Sequence, residues 1–358
     1  MKLSLAMIVK NEEEKLARCL NSVKDHVDEI VVADTGSTDK TKEIARSFGA
    51  KIYDFAWCKD FSKARNFSIE KTTGDYVLVL DADQVLLQFD MQSVLKIMEG
   101  KKVLGLAEII NHYTQNGQKM AHRSFTGAVF PREARYVGAI HEQIDSSYPR
   151  VRLPISIFHD GYENRAEEKF KRNIEILENV LKTNKDPYLM YKLAQEYKGL
   201  NQPDKADRHF SSAYRTGDRS SAYFPNLVAE YLHNLVDLKL YAKVLELVKN
   251  EEKNYSDFPE FYFICGKFYT ELVLSNPKQH IGYFPKIKES YEKCIAIGEN
   301  PKYQGVVGMG TFMPMHNLAA FYEVIGDLAS AKAYYKAAAD LGFAPSQKRL
   351  QELMAAKR

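Results

Sequence analysis

The sequence predicts two domains, an α/β domain with a mainly parallel sheet followed by an all-α domain of helical repeats. Between Leu3 and Leu80 short apolar runs alternate with helical patterns, which is typical of β-α-β units. From about Tyr162 only helical patterns remain, and 358 residues exceed what one hydrophobic core ordinarily supports. We therefore predict an α/β domain over residues 1–165 and a helical repeat domain over residues 166–358.

The α/β domain begins with four strand patterns that are separated by helical patterns. Because the connections are short, we expect the strands to pair in parallel, with helices on both faces of the sheet. Beyond Asp83 the helical patterns disappear, which indicates an antiparallel extension of the sheet. The predicted strands are Leu3–Val9, Glu29–Ala33, Lys51–Tyr53, Tyr76–Leu80, Val103–Tyr113, Ala121–Phe130 and Tyr136–Ile140; the helices are Glu12–Val23, Thr38 to Phe48 with Gly49 as its cap, and Asp60–Lys71.

Two segments in the C-terminal half share one pattern of apolar and small residues. This pattern resembles the tetratricopeptide repeat, a helix–turn–helix unit in which small residues let paired helices approach closely. A stretch with Tyr262, Gly266 and Tyr291 resembles a degenerate copy that carries an insertion, and an ordinary helical bundle is the alternative. The first segment contains Met190, Leu193, Ala194, Tyr197, Ala206, Phe210 and Ala213, and the second has Met315, Leu318, Ala319, Tyr322, Ala331, Tyr335 and Ala338 at the same offsets.

Composition and charge exclude several classes of protein. The 50 basic and 47 acidic residues nearly cancel, and without a basic stripe a nucleic-acid partner is not expected. The four cysteines form no C-x-x-C pair, which favours a reducing compartment over a structural zinc site. The apolar run at the N-terminus is short for a signal peptide, and we find no transmembrane segment. We therefore expect a cytoplasmic protein.

The clearest chemical signal is the pair Asp81 and Asp83, which follows the apolar strand Tyr76–Leu80. Ligands of open α/β sheets bind beyond the carboxyl ends of the strands. Two carboxylates at such an end repel each other unless a cation shares the site. Mg²⁺ or Mn²⁺ with a phosphorylated ligand meets this need, because these ions complete their ligand shell with phosphate oxygens. Acidic pairs in solvated loops are the alternative.

A second signal is Asp34, which the strand Glu29–Ala33 delivers to the same edge of the sheet. Its carboxylate is suited to accept a hydrogen bond from a nucleobase N–H, and the small residues that follow allow close approach of a ligand. Thr38 and Asp39 are equally well explained as a turn and a helix cap.

Together these segments resemble the family 2 glycosyltransferases of GT-A fold. The motif MIVKNEE is similar to the first strand and nucleotide-contacting turn of the family, VVADTGSTDKT to the second, and LDAD to its metal site. In WCKDFSKARN, the resemblance implies that Arg65 and Asn66 lie near the diphosphate. The donor-binding residues that the resemblance implies are Val9, Asn11, Glu12, Asp34, Ser37, Arg65, Asn66, Asp81 and Ala82.

Two later motifs, GAIHEQI and FHDGY, resemble acceptor-side and metal-side elements of a subgroup. Glu142 is the candidate base, and His141 either acts directly, orients Glu142 or belongs to the core. His159 joins Asp81 and Asp83 as a candidate metal ligand. Gln84 departs from the acidic or small polar residue that the family often has there, and we expect it to affect specificity or metal dependence.

The predicted function is metal-dependent, inverting transfer of a sugar from a nucleotide-sugar, foremost a UDP-sugar, to a peptide or protein. The architecture is similar to bacterial enzymes that glycosylate peptides, including the S-glycosyltransferases of glycocin-type bacteriocins. Repeat arrays present extended surfaces that suit peptides. The alternatives are a lipid-linked or cell-surface glycan acceptor, a non-catalytic repeat adaptor with a relic nucleotide domain, and a sugar nucleotidyltransferase. The sequence leaves open which sugar is transferred, which acceptor atom receives it, and whether the protein forms a homodimer.

Overall fold

The first four strands form the parallel half of a sheet in the computed structural model, which describes residues 2–115, 118–145, 147–159 and 167–355. Their order in the sheet is the third, second, first and fourth, and every neighbouring pair is parallel. The first strand is buried on both faces, as expected for a parallel sheet between helices. All four carboxyl ends therefore lie at one edge. These strands are β1 (Leu3–Val9), β2 (Glu29–Asp34), β3 (Lys51–Asp54) and β4 (Tyr76–Val79).

Three helices connect these strands, namely α1 (Leu16–Val23), α2 (Thr41–Ser47) and α3 (Phe61–Glu70). The first begins later than predicted because a turn follows β1, in which Asn11 has a φ of 55°. Gly49 has a φ of 74° and its N–H donates to the carbonyl of Arg46, so its predicted role as a cap is confirmed. Asp60 begins α3 by accepting a hydrogen bond from the N–H of Lys63.

The second half of the sheet differs from the prediction in part. The antiparallel extension is confirmed, but one helix and three strands were not predicted, because their sequences are short or are interrupted by polar residues or proline. The new elements are β5 (Gln84–Phe89), α4 (Met91–Met98), β9 (Gln143–Asp145) and β10 (Arg150–His159), and the predicted ones are β6 (Leu104–Gln115), β7 (Gln118–Pro131) and β8 (Arg135–Val137).

These strands extend the sheet beyond β4 in the order β7-β6-β10-β5. β7 is antiparallel to both β4 and β6, β10 is parallel to β6, and β5 is antiparallel to β10. β8 and β9 form a separate antiparallel pair. The parallel half and the mixed half are therefore joined at β4, directly beside the turn that carries Asp81 and Asp83.

The chain divides into two compact units, Met1–Lys185 and Asp186–Arg358. Helix α5 (Glu167–Leu181), which we had assigned to the repeat domain, packs with the first unit. Its Glu175 lies 2.6 Å from the ammonium of Lys59, and the guanidinium of Arg172 lies over the Phe61 ring. The predicted boundary after residue 165 falls outside the described residues.

The second unit consists of antiparallel helix pairs that agree with the tetratricopeptide-like prediction. At equivalent positions of the two predicted repeats, Tyr197 stacks on His209 and Tyr322 stacks on Tyr334. Its elements are α6 (Pro187–Gly199), α7 (Pro203–Thr216), α8 (Phe224–Asp237), α9 (Tyr241–Glu251), α10 (Pro259–Ser275), α11 (Pro277–His280), α12 (Phe284–Ile297), β11 (Gly305–Val306), α13 (Phe312–Val324), α14 (Leu328–Asp340) and α15 (Ala344–Ala355).

The small residues of the repeats lie where helices meet. Ala194, Ala206 and Ala213 are fully buried. A Cβ at Gly266 would lie 2.5 Å from the ring of Tyr291, so glycine is required for the close approach of α10 and α12. These two helices are the predicted degenerate copy with α11 as its insertion, whereas the pair α8 and α9 was not predicted. Among the described residues, none of the helices has the length and apolar character needed to cross a membrane.

Candidate active site

Two turns at the carboxyl edge of the parallel sheet are joined by hydrogen bonds. The Asn11 N–H donates to the Ser37 Oγ at 2.9 Å, and the Asn11 Oδ1 accepts from the Thr38 N–H at 2.8 Å. The Glu12 N–H donates to the Thr41 Oγ1 at 2.7 Å. Asn11, Glu12 and Ser37, which were predicted to contact the donor, are therefore brought together, and each already supports the turns.

The neighbouring residues of these turns have structural roles. Val9 is buried, and its carbonyl accepts from the N–H of Thr35 at 2.9 Å and from its hydroxyl at 3.0 Å. A ligand contact of Val9 is thus restricted to its backbone. Asp39 accepts from the Thr41 N–H at 3.0 Å. For Thr38 and Asp39, this geometry agrees with the alternative interpretation as turn residues.

Asp34 ends β2 with an almost completely buried carboxylate, which is 1% exposed. Its Oδ1 accepts from the N–H groups of Gly36 and Ser37 at 3.0 and 2.9 Å, and the Lys42 ammonium lies 3.6 Å away. Burial opposes ionisation, but the hydrogen bonds outweigh it and lower the pKa of Asp34. Its Oδ2 is buried and accepts a hydrogen bond from none of the described residues. Such an orphaned acceptor costs about 1–3 kcal/mol, so Asp34 is suited to a ligand that donates one.

A tight turn after β4 presents Asp81 and Asp83. The Gln84 N–H donates to the Asp81 carbonyl at 3.0 Å, and the Asp81 N–H donates to the Gln84 Oε1 at 3.0 Å. Ala82 is buried between the aspartates, and the Cys19 thiol of α1 donates to the Asp81 carbonyl at 3.4 Å. Gln84 therefore holds the turn that carries both carboxylates, and the influence on specificity that we expected of it stays a prediction.

His159, the last residue of β10, lies beside Asp83. Its Nε2 is 3.2 Å from the Asp83 Oδ2, and its Nδ1 is 2.7 Å from the Oδ1 of Asn111, a buried residue of β6. Burial raises the pKa of Asp83, but a hydrogen bond from His159, when its ring carries a proton on both nitrogens, outweighs this effect and lowers the pKa. Two of the three predicted metal ligands are thus adjacent. Residues 160–162 of the FHDGY motif lie outside the described residues.

Arg65 of α3 links the Asp81 turn to the loop between β8 and β9. Its Nη2 lies 2.9 Å from the Asp81 Oδ1, and its Nε lies 2.5 Å from the Glu142 Oε1. The guanidinium also lies 5.5 Å from the centre of the Tyr136 ring. Burial opposes its charge, but Asp81 and Glu142 outweigh it and raise the pKa of Arg65. Its Nη1 is buried and donates to no acceptor among the described residues, so it can bind an anion.

The amide of Asn66, which the resemblance implied to lie near the diphosphate, is hydrogen-bonded to the backbone of β8. Its Nδ2 donates to the Tyr136 carbonyl at 2.9 Å, and its Oδ1 accepts from the Tyr136 N–H at 2.8 Å. The amide therefore pairs with the backbone as a neighbouring strand would. We interpret Asn66 as the residue that positions β8 and the loop after it, because both ends of its amide are already used.

The candidate base Glu142 lies in the loop between β8 and β9. Its side chain is 12% exposed and is held by Arg65. Next to it, His141 has a φ of 50°, in the left-handed region that non-glycine residues rarely adopt. The carbonyl of Ala139 accepts from the Phe61 N–H at 2.8 Å, which fixes the loop to the start of α3. The loop thus brings both predicted catalytic residues to the Arg65 side of the site, and their roles stay predictions.

The site concentrates negative charge. The pKa of Glu12 is raised to about 7, mainly by burial and next by Asp83, with a smaller contribution from Asp81. Within the described ranges there is no group of three His, Cys, Asp or Glu side chains already arranged around one point, since Asp81 is turned toward Arg65. Asp83 and His159 fit a divalent cation as two adjacent ligands, and Mg²⁺ or Mn²⁺ ordinarily takes its other ligands from phosphate and water.

Two residues of the site were not found from the sequence. Lys42 on α2 lies 2.5 Å from Asp54 and 3.6 Å from Asp34, so it neutralises the ends of β2 and β3. Asn111 contacts His159 from the middle of the sheet. An amide directly after the apolar pair Ile109 and Ile110 was a usable signal for Asn111, whereas a lysine on a helix surface carries no such signal.

The comparisons with known proteins agree with this geometry. Residues 4–153 match the model of the family described as Glycosyl transferase family 2. A TPR repeat-containing protein of Synechococcus elongatus is 41% identical over 144 residues, which are 40% of this chain and 36% of that protein. The SPbeta prophage-derived glycosyltransferase SunS of Bacillus subtilis is 27% identical over 266 residues, which are 68% of this chain and 62% of that protein. This chain thus spans less than two thirds of either relative.

Among solved structures, MamA is 18% identical over 52% of this chain and 94% of its own, with a TM-score of 0.39. A glucosyl-3-phosphoglycerate synthase from Mycobacterium tuberculosis is 24% identical over 31% of this chain and 44% of its own, with a TM-score of 0.26. Both scores are low, so the fold assignment depends on the strand order and the family match. On these grounds, residues 4–153 of this chain form a domain of glycosyl transferase family 2.

Proposed function

We propose that this chain is a metal-dependent glycosyltransferase that transfers a sugar from a UDP-sugar to a peptide or protein. The observation that carries the proposal is the arrangement of Asp34, Arg65, Asp83 and His159 around the carboxyl edge of the parallel strands. Ligands of open α/β sheets bind at this edge. The four side chains offer a hydrogen-bond acceptor, a buried cationic donor and a pair of metal ligands, which together match a nucleotide diphosphate bound through a cation.

Asp34 is the proposed contact of the nucleobase. Its buried Oδ2 lacks a donor among the described residues, and the N3–H of uracil is such a donor. The lowered pKa of Asp34 keeps the carboxylate ionised and therefore accepting. The choice of uracil over other bases is supported by the family resemblance of the two turns around Asn11 and Ser37.

Asp83, His159 and Asp81 are the proposed contacts of the cation. Asp83 and His159 lie side by side, and Asp81 is separated from Asp83 by Ala82 on the same turn. When bound, the cation would neutralise the negative charge that develops on the leaving diphosphate. The buried Nη1 of Arg65 offers a charge-assisted hydrogen bond to the same diphosphate.

Glu142 is the proposed base on the acceptor side. In an inverting reaction a base removes the proton of the attacking group on the face opposite the leaving group. Arg65 holds Glu142 by its Nε and Asp81 by its Nη2, so one guanidinium sets the position of the base relative to the metal-binding turn. His141 is the proposed partner of Glu142 in orienting the acceptor.

The helix pairs of the second unit are the proposed acceptor-binding region. Stacked helical repeats present extended surfaces, and such surfaces suit an extended peptide. SunS, which is named a glycosyltransferase, matches 68% of this chain and therefore more than the first unit. This match supports a transferase that includes residues of the second unit. We also propose a reducing, cytoplasmic location, and the four free cysteines support it.

Calorimetric titration of the full chain with UDP, in the presence and absence of Mn²⁺, tests the donor half of the proposal. We expect UDP to bind more tightly with Mn²⁺, and EDTA to remove the gain. GDP and TDP serve as controls for the base. UDP affinity that does not change with Mn²⁺ contradicts the metal-dependent reading.

Mass spectrometry tests the acceptor half. A panel of cysteine-, serine-, threonine- and asparagine-containing peptides is incubated with UDP-sugars and Mn²⁺, and we expect the mass of one sugar to be added. Matched peptides with alanine in place of the nucleophile control for noncovalent adducts. Transfer to glycans but to none of the peptides contradicts the proposed acceptor class.

A further inference from the structure

We propose that Asn111 is a positioning residue that fixes the tautomer of His159, so that the lone pair of its Nε2 faces the cation beside Asp83. The inference rests on the proposed function, because it concerns the same cation site. It concerns a residue that the sequence patterns did not indicate, on a strand in the middle of the mixed half of the sheet. Three features of the structure lead to it.

The first feature is a row of polar side chains across four strands. Asn111 on β6 lies opposite His122 on β7 and opposite His159 on β10, and His159 lies opposite Gln84 on β5. Directly opposite side chains in neighbouring strands share one face of a sheet and interact. The row therefore ends at Gln84, whose amide holds the turn of Asp81 and Asp83.

The second feature is the orientation of the Asn111 amide. Its Nδ2 donates to the carbonyl oxygen of His122 at 3.3 Å and to the Oγ of Ser124 at 3.3 Å. A carbonyl oxygen only accepts, so the amide nitrogen faces β7 and the amide oxygen faces His159. That oxygen lies 2.7 Å from the His159 Nδ1. Since an amide oxygen has no proton to donate, the Nδ1 must carry the hydrogen of this bond.

The third feature is the position of the other ring nitrogen. A neutral imidazole with its hydrogen on Nδ1 has a lone pair on Nε2, and this atom lies 3.2 Å from the Asp83 Oδ2. A lone pair beside a carboxylate oxygen is the arrangement of two ligands that share a cation. Histidines that bind metals usually donate their second N–H to a fixed acceptor, and loss of that acceptor ordinarily lowers metal affinity about 10- to 100-fold.

Burial gives Asn111 the rigidity that this role requires. Its side chain is almost fully buried, so water does not replace the amide oxygen at Nδ1. The bonds to β7 hold the amide against a flip, which would bring its NH₂ group to Nδ1 and would place the imidazole hydrogen on Nε2. That tautomer would donate to Asp83 and could not bind the cation.

Mn²⁺ titration of the full chain saturated with UDP, followed by the electron paramagnetic resonance of free Mn²⁺, tests the inference. Asn111→Leu removes the acceptor at similar volume, and we expect Mn²⁺ affinity to fall about 10- to 100-fold. Asn111→Asp keeps an oxygen at the same position and should restore most of the affinity. Ser124→Ala removes one of the two acceptors of the amide N–H groups but leaves the His122 carbonyl, so it is the matched control, with little expected change.

Equal Mn²⁺ affinity in the parent and in Asn111→Leu overturns the inference, provided that Asp83→Ala abolishes binding. If the parent itself binds no Mn²⁺, both this inference and the proposed function fail. The tautomer can also be measured in the parent, even if Asn111→Leu does not fold, by nitrogen NMR of the imidazoles without Mn²⁺. The variant His159→Gln lacks the His159 signals and so assigns them. We expect a protonated Nδ1 at neutral His159, and a protonated Nε2 overturns the inference.

Discussion

We expect Asp34→Asn to weaken binding of the nucleobase while leaving the stability of the fold almost unchanged. The side chain has one oxygen that accepts from the Gly36 and Ser37 N–H groups and one buried oxygen without a donor among the described residues. Asparagine can keep the first interaction through its Oδ1. Its NH₂ group then takes the place of the orphaned oxygen and presents a donor where the base N3–H also donates.

The magnitude follows from the loss of one hydrogen bond to a charged acceptor. Such a bond contributes about 1.5–3 kcal/mol, so UDP affinity is expected to fall about 10- to 150-fold. Both forms bury one unpartnered polar atom in the absence of ligand. We therefore expect the free energy of unfolding to change by less than about 1 kcal/mol.

Calorimetric titration with UDP and chemical denaturation measure these two quantities. Asp54→Asn is the matched control, because it removes the same charge from the end of the adjacent strand. Asp54 contacts the same Lys42, but its side chain is 78% exposed, so its effect on UDP affinity should be small. Equal UDP affinity in Asp34→Asn and the parent, or equal losses in both variants, would refute the role of Asp34 at the base.

Four further predictions address catalysis, pH and the repeats. Asp83→Ala should abolish transfer while the melting temperature is maintained, and undiminished turnover would exclude the metal role. Glu142→Gln should keep UDP affinity but remove most of the transfer rate; weaker donor binding at an unchanged rate would mean that it is not the base. Burial opposes ionisation of Glu29, but hydrogen bonds led by that from Ser4 lower its pKa to about 2. Because this pKa is below the value of 4.5 in the unfolded chain, Glu29→Gln should lower the free energy of unfolding by about 3 kcal/mol above pH 4.5. The difference between the variant and the parent should vanish as the pH falls toward 2. A difference that persists at pH 2 in denaturation curves contradicts this prediction. Deletion of residues 186–358 should impair acceptor use more than hydrolysis of the donor, and equal losses would mean that the repeats serve only the structure.

The residues at strand ends were predictable because local patterns encode them. Asp34, Asp81 and Asp83 each follow an apolar run, and the alternation of strands and helices implies that the runs are parallel. Parallel strands end at one edge, so a sequence pattern is enough to bring these carboxylates to the same region. The structure confirms that arrangement for the strands that carry them.

The pairings within the site were not predictable from local patterns. Arg65 was expected at a diphosphate, but its contacts with Asp81 and Glu142 depend on how α3 packs beside the loop after β8. Asn66 was expected there as well, and its amide instead pairs with the backbone of Tyr136. Neighbours on one helix thus acquired different roles, because each points to a different neighbouring element.

The helical repeats were also predictable only in part. The two regular copies were predicted from their spacing, since small and aromatic residues recur at positions where helices must touch. The pair α8 and α9 lacks that spacing and was recognised only from the structure. The insertion in the degenerate copy was predicted, but the requirement for glycine at Gly266 became clear only from the ring of Tyr291 against it.

The sequence by itself determined the order of the elements from β1 to β4, the edge that carries Asp34, Asp81 and Asp83, and the pattern of the two regular repeats, because hydrophobic periodicity acts over a few neighbouring residues. Only the tertiary structure decided that His159 lies between Asp83 and Asn111, and that Arg65 joins Asp81 to Glu142. These contacts connect residues that are far apart in the chain. They depend on strand register and helix packing, which arise when the whole core assembles.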